Sequence, residues 1–328
     1  MNQPTRISYG IMAALLVLIG CFHLGTLVLT AFFGFFALQV FSFGRSKFLG
    51  ITLYVVVVAL IGWGMVYFSK QAYLTLPKIV ETTIPAVAEF AERQGFELPF
   101  TDYPSLKSKA VDQIKQNIAG AGRHAREAAF KLVQLIIGLV VAASLFLSAT
   151  WGSENEPGTA RDNLYTTVVQ QLSRRFETFF SSFSKVIGAQ IIISIINTGL
   201  TAVFLIWNGF PFASVIIVLT FLCGLLPIIG NIISNTLIVG VAFTIPEVGP
   251  RMALVALVFL VVIHKLEYFL NSKIIGDRIK NPMWLTLIGL VLGEKLMGVP
   301  GMVLAPVVLH YIKVEASRNK VDTAGKVA

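Results

Sequence analysis

The sequence predicts an all-α polytopic membrane protein with about eight membrane segments. Two of these are expected to be re-entrant helical hairpins in an inverted repeat. Three observations lead there. Hydrophobic residues make up 55% of the 328 and charged residues only 13%, whereas a soluble domain carries about 25% charged residues. The apolar residues are gathered into blocks, and Val186 to Pro246 runs for 61 residues without Asp, Glu, Lys or Arg. Two blocks are broken at their centres by Gly, Pro and polar residues. These read "CGLLPIIGNIISN" from Cys223 to Asn235 and "GEKLMGVPG" from Gly293 to Gly301.

The first block, Ile7 to Gly44, carries no charge apart from a possible one on His23. Two full crossings need ~40 residues plus a turn, so two short helices or a hairpin are expected. "LIGC", Leu18 to Cys21, has the look of a lipoprotein cleavage box. Apolar sequence continues beyond the cysteine, which favours a retained membrane segment.

Phe48 to Ser69 is one crossing. Residues 70–128 form the only sizeable polar region, divided by Pro77, Pro85, Pro99 and Pro104. Its last part reads as a helix that runs into the next crossing, Phe130 to Thr150. The "RHAR" of Arg123 to Arg126 fits a solvated helix face. Residues 151–185 are amphipathic. Leu164, Val168, Leu172, Phe176, Phe180 and Phe183 recur at helical spacing beside Arg174, Arg175 and Lys185. Such a helix lies on the membrane surface or packs on a neighbouring subunit. A crossing at Val186 to Trp207 is followed by the broken block Phe212 to Phe243. A crossing at Met252 to Leu270 is followed by the broken block Met283 to Ile312.

Five regions follow from this pass. They are N-terminal membrane segments (1–69), an extramembrane helical region (70–128), and a crossing with a cytoplasmic amphipathic helix (129–185). A transport core with two broken hairpins (186–316) and a basic cytoplasmic tail (317–328) complete the chain. Arg45 and Lys47, the group Lys273, Arg278 and Lys280, and the basic C-terminus mark cytoplasmic loops. With the N-terminus inside, each broken block enters and leaves on one face. Two arms of ~15 residues reach ~22 Å, short of a ~30 Å hydrocarbon core. Pro227 lacks an amide hydrogen and Gly230 permits a turn at the first tip. Irregular backbone at that depth requires surrounding protein or a wet cavity.

Other classes are excluded. Cys21 and Cys223 lie in apolar blocks and form no CxxC, disulfide framework or zinc site. The net charge of +9 sits at the ends of apolar segments, where topology rather than nucleic acid requires it. No phosphate loop, HExxH or GxSxG is present, so neither an enzyme nor a cofactor is expected. Energy for any transport comes from ion or solute gradients.

The ordered motifs "GAQIIISIINTGL", "NGFPFA", "LLPIIGNIIS", "HKLEYFLNSKIIGDRIKNP" and "GEKLMGVPGMVLAPV" resemble those of the AI-2E family, autoinducer-2 exporter-like proteins. The resemblance covers nearly the whole chain. It implies a multi-pass transporter of the bacterial inner membrane, in contact with membrane lipid, that moves a small molecule or cation. It also implies a homo-oligomer, a pentamer in the family pattern. Members are associated with autoinducer-2 or with exchange of Na+ or Li+ for H+. Asn281 stands where family members often carry a histidine, so no role of that histidine is carried over.

Candidate residues follow from the cost of polarity in lipid. Asn231 and Asn235 share one face of the first hairpin and lead as substrate ligands, the bland alternative being helix–helix hydrogen bonding. Pro227 and Gly230 shape that tip, and Gly298 and Gly301 shape the other. Asn197, one turn from Ser194, lines a pathway or bonds a neighbouring helix. Glu294 and Lys295 are coupling candidates or a structural ion pair, since a mid-membrane charge costs ~3 kcal/mol. Glu267, one turn from Asn271, and His264 complete the coupling set, each with a structural alternative. Three functions fit: a secondary transporter exporting a small solute by alternating access, a Na+(Li+)/H+ antiporter on the same scaffold, and an uncoupled channel.

Overall fold

The structure, a computed structural model, describes residues 3–42, 47–95, 125–148, 163–226, 229–275 and 282–318. These residues form ten helices and no strand. In chain order they are α1 (Gln3–Cys21), α2 (Gly25–Phe41), α3 (Lys47–Arg93), α4 (Ala125–Ser148), α5 (Leu164–Trp207), α6 (Ala213–Gly224), α7 (Ile229–Ala242), α8 (Gly249–Ile275), α9 (Met283–Met297) and α10 (Val299–Arg318). Six, namely α1, α3, α4, α5, α8 and α10, are long and apolar enough to cross a membrane. Their outward side chains suit lipid: Trp63 and Val66 on α3 are each 72% exposed, a display that water would penalise. The protein is an all-α, multi-pass membrane protein.

Two helices are longer than the sequence pattern implies. α3 continues through Pro77 and Pro85 for 47 residues, where those prolines are expected to divide a polar region. A proline removes one amide hydrogen bond, and tertiary packing overrides that loss here. Ile79, only 1% exposed, is buried in a core with Leu205, Ile216, Ile238 and Val241. Phe90 lies 5.1 Å from Phe243. α5 joins the expected amphipathic helix and the crossing after it into one helix of 44 residues. No Pro interrupts the join, and Lys185 and Gly188 are accommodated in the helix.

The chain divides into two compact units. The first comprises residues 1–55, 131–188 and 275–328. In it α1 and α2 turn at His23, whose φ is 53°. Gln134 of α4 donates its side-chain amide to the His23 carbonyl at 3.1 Å. The phenylalanines of α5 face inward: Phe183 packs on Phe32 and Phe33 with ring centroids 5.3 and 5.2 Å away. Phe180 meets Phe35 at 4.8 Å, and Phe179 meets Tyr311 of α10 at 5.3 Å. This aromatic ladder therefore packs within its own chain.

The same unit buries a charge pair that the sequence pattern does not announce. Arg175 of α5 donates to Glu315 of α10 at 3.1 Å, with side-chain exposures of 7% and 10%. Arg175 also donates to Ser8 of α1 at 3.0 Å, and its guanidinium lies 3.3 Å from the centre of the Tyr9 ring. The Tyr9 hydroxyl donates to Glu315 at 3.1 Å, and Arg318 adds a 3.6 Å contact to that carboxylate.

Each unit holds one broken helical pair. In the first unit α9 and α10 join at Gly298, whose φ of 66° and ψ of −145° suit glycine alone. Gly301 then lies against Gly293 so closely that a Cβ on Gly301 would meet the Gly293 carbonyl. This pair is asymmetric, unlike the equal arms expected from the sequence. α9 has 15 residues and α10 has 20, because Tyr311 and Glu315 carry α10 onward into buried contacts. In the second unit, residues 56–130 and 189–274, α6 and α7 pair with Gly230 against the Cys223 backbone. At 12 and 14 residues these arms reach ~18 and ~21 Å, short of a ~30 Å core.

Two predictions follow from this packing. Gly301→Ala should destabilise by about 1–3 kcal/mol through overpacking, whereas Gly62→Ala, with nothing within 4 Å of its Cβ, should not. Thermal unfolding in detergent distinguishes them, and equal melting temperatures would contradict the close crossing. Arg175→Met alone should cost about 3–5 kcal/mol by breaking the buried pair and leaving the Glu315 carboxylate to Tyr9 and Arg318, and adding Glu315→Leu should recover part of it. A double variant less stable than the single one would show that the pair is not what holds these helices.

Candidate functional site

The second unit assembles the polar residues of three helices. On α5, Gln190, Ser194, Asn197 and Thr201 recur at steps of four, three and four, so they share one face. Ser194, Asn197 and Thr201 are 1%, 9% and 2% exposed. The upper part of this stripe completes a helix end. α6 stops at Gly224, which leaves its last four carbonyls without helical partners. Ser194 donates to the Phe221 carbonyl at 2.9 Å and Gln190 to that of Gly224 at 2.6 Å. The amides of Leu225 and Leu226 serve the Leu222 and Cys223 carbonyls at 3.3 and 2.8 Å. All four groups are thereby satisfied without water.

Below this end lies the ionisable centre. The carboxylate oxygen Oε2 of Glu267, on α8, accepts the amide of Asn231 from α7 at 2.7 Å. It also accepts the amide of Asn197 from α5 at 3.3 Å. Three predicted site residues, far apart in sequence, meet on one oxygen atom. Both amides donate, and the carboxylate oxygen is the shared acceptor. The Asn197 Oδ1 atom is buried and has no hydrogen-bond partner among the described residues, and neither has Thr198 Oγ1. A half-buried carboxylate beside an unpaired amide oxygen can accept hydroxyls or ligate a hard cation.

The other candidates fall elsewhere. Asn235 lies one turn beyond Asn231 on α7 and is half-buried. Ser234, between them, bonds back to the Gly230 carbonyl at 3.1 Å. Gly230 itself serves the close approach to Cys223. Pro227 and Asn281 lie outside the described residues, and so do the side chains of Asn271 and Lys273. His264 is exposed one turn before Glu267. Gly298, Gly301, Glu294 and Lys295 belong to the first unit. There Glu294 and Lys295 are exposed at the end of α9, and no ion pair joins them among the described residues. The partner of Glu267 is the point sequence reasoning missed, having set it one turn from Asn271. The polar stripe on α5 was the available signal, since a 3.6-residue period of amides and hydroxyls inside an apolar run marks a helix face that meets something polar.

Comparison with known proteins points to a transporter family. The chain is 29% identical over 146 residues to a Bacillus subtilis (strain 168) protein named "Putative transport protein YdbI". That match takes in 44% of this chain and 41% of the relative, so the chain spans less than half the length of that relative. Residues 7–317 match the sequence profile described as AI-2E family transporter. The chain belongs to the AI-2E transporter family.

Proposed function

We propose that the protein is a secondary transporter of the bacterial inner membrane that exports a small polar solute, with Glu267, Asn231 and Asn197 as its site. The observation that carries this reading is the two amides donating to one Glu267 oxygen, at 2.7 and 3.3 Å, inside an apolar unit. An ionisable group in a membrane segment costs ~3 kcal/mol and is kept for a use. Here the use is to hold hydroxyls of the solute and to exchange a proton as the site turns from one face to the other. Asn235 extends the same face of α7 by one turn. The α6–α7 and α9–α10 pairs are re-entrant on this reading, and the α6–α7 pair supplies a moving wall of the site. Autoinducer-2 fits the polarity required. A homo-oligomer, pentameric in the family pattern, is the proposed assembly.

A second reading has its own support. The unpartnered Asn197 Oδ1 beside a carboxylate is an oxygen-donor set of the kind hard cations take. On this reading the protein exchanges Na+ or Li+ for H+, and Glu267 binds each in turn. Glu267 rather than Glu294 is the coupling group in both, because Glu294 is exposed at a helix end.

Two experiments test this. Proteoliposomes should show saturable, gradient-coupled flux of autoinducer-2, or of Na+ and Li+ on the second reading. Glu267→Gln should reduce it at least about ten-fold, the equivalent of ~1.4 kcal/mol, and remove its pH dependence. Asn231→Leu should lower flux per folded molecule without emptying the membrane of protein. Unchanged coupling in Glu267→Gln would reject the site, and ohmic currents would point to a channel. For the hairpins, single cysteines at Ile229 and Pro300, in a background without Cys21 and Cys223, should react with small polar reagents. Resistance at both positions from both faces would mean full crossings buried in lipid.

A further inference from the structure

The first unit contains a cavity of about 640 Å³ that the transport reading does not use. Its walls are α2, α4 and α5, with Leu27, Ala31, Phe32, Phe35, Leu145 and Phe180 among the apolar lining. Among the described residues that line it, only Gln39 and Glu177 bring polar side chains. The ring contacts order these groups along the groove. Phe183 of α5 meets Phe33 of α2, and Phe180 meets Phe35, so the two helices run antiparallel there. Glu177, one turn before Phe180, is therefore level with Gln39, one turn after Phe35. One end of the groove is apolar, and the other carries a carboxylate and an amide.

We propose that this groove binds a membrane phospholipid with a primary-amine headgroup, its acyl chain along the phenylalanines and its ammonium on Glu177 and Gln39. Four observations select that occupant. The walls include an apolar helix of crossing length, α4, so what fills the groove comes from the bilayer. The volume lies within the 300–1,000 Å³ or so typical of ligand sites. The polar end is complementary to a cationic donor. Glu177 is exposed and has no ion pair among the described residues, and the Gln39 carbonyl can accept a second N–H. Close to that end the ammonium of Lys47 donates to the Leu147 carbonyl at 3.0 Å, just past Leu145. A cation stands there for the lipid phosphate. A quaternary choline has no N–H to give, and an anionic glycerol headgroup would face the Glu177 carboxylate, so the ethanolamine form is preferred.

The test uses the full-length protein in nanodiscs holding equal amounts of phosphatidylethanolamine, phosphatidylcholine and phosphatidylglycerol with matched acyl chains. Native mass spectrometry then counts the lipids retained after release. The wild type should retain phosphatidylethanolamine over phosphatidylcholine by up to about five-fold, the range of an exposed charge pair. Glu177→Gln should bring that ratio to parity while the protein stays folded, since the residue is exposed. Leu145→Trp should lower retention of every lipid by filling the groove. Equal retention of the ethanolamine and choline lipids by the wild type would overturn the proposal. So would an unchanged preference in Glu177→Gln. A disulfide between copies of a Leu27→Cys variant would show a second copy of the chain in the groove, and would also overturn it.

Discussion

Lipid offers no hydrogen bonds, and this single constraint shapes every described part of the protein. Each backbone amide and carbonyl must find its partner inside the chain, which leaves helices as the economical solution. The constraint bites hardest where a helix stops within the apolar region. α6 ends there, and its four free carbonyls are met by Ser194, Gln190 and two backbone amides. A broken helix and a polar stripe on another helix are thus one device. The stripe makes the break affordable, and the break brings the Asn231 amide within reach of Glu267.

The same solvent also removes the usual reason for helices to associate. Apolar faces gain little by leaving lipid for protein, so close contact and polar bonds carry the work. Gly293 and Gly301 allow two backbones to touch, as do Gly230 and Cys223. Arg175 does the opposite kind of work. It joins α1, α5 and α10 through Ser8, Tyr9 and Glu315. A guanidinium has enough donors and a flat enough face to serve all three at once.

What could be read from the sequence was whatever is local. The apolar blocks, their breaks and the all-helical class follow from composition and period, and the Gly–Pro centres do divide two blocks into helical pairs. Helix lengths were not legible. Pro77 and Pro85 signal a break, but the packing of Ile79 against residues more than a hundred positions later keeps α3 intact. The phenylalanines of α5 have the period of a surface helix, and that period cannot say whether lipid or α2 receives them. The site was legible as a set of candidates and not as an arrangement. Glu267 meets partners 36 and 70 residues away, and no pattern within one helix specifies such a meeting.

The glycine crossings also bear on how the chain is assembled. Gly293 touches a residue eight positions on, and Cys223 one seven positions on. Contacts of such short separation cost little loop entropy and form early. Each helical pair can close as it emerges into the bilayer, before the rest of the protein exists. The Arg175–Glu315 bond spans 140 residues and has to wait for α10. Until Glu315 arrives, the guanidinium depends on Ser8, Tyr9 or interfacial water, so the first unit is least protected until α10 has been made. Chains truncated ahead of α10 would retain the α6–α7 pair, present an unneutralised arginine, and become natural targets for membrane quality control.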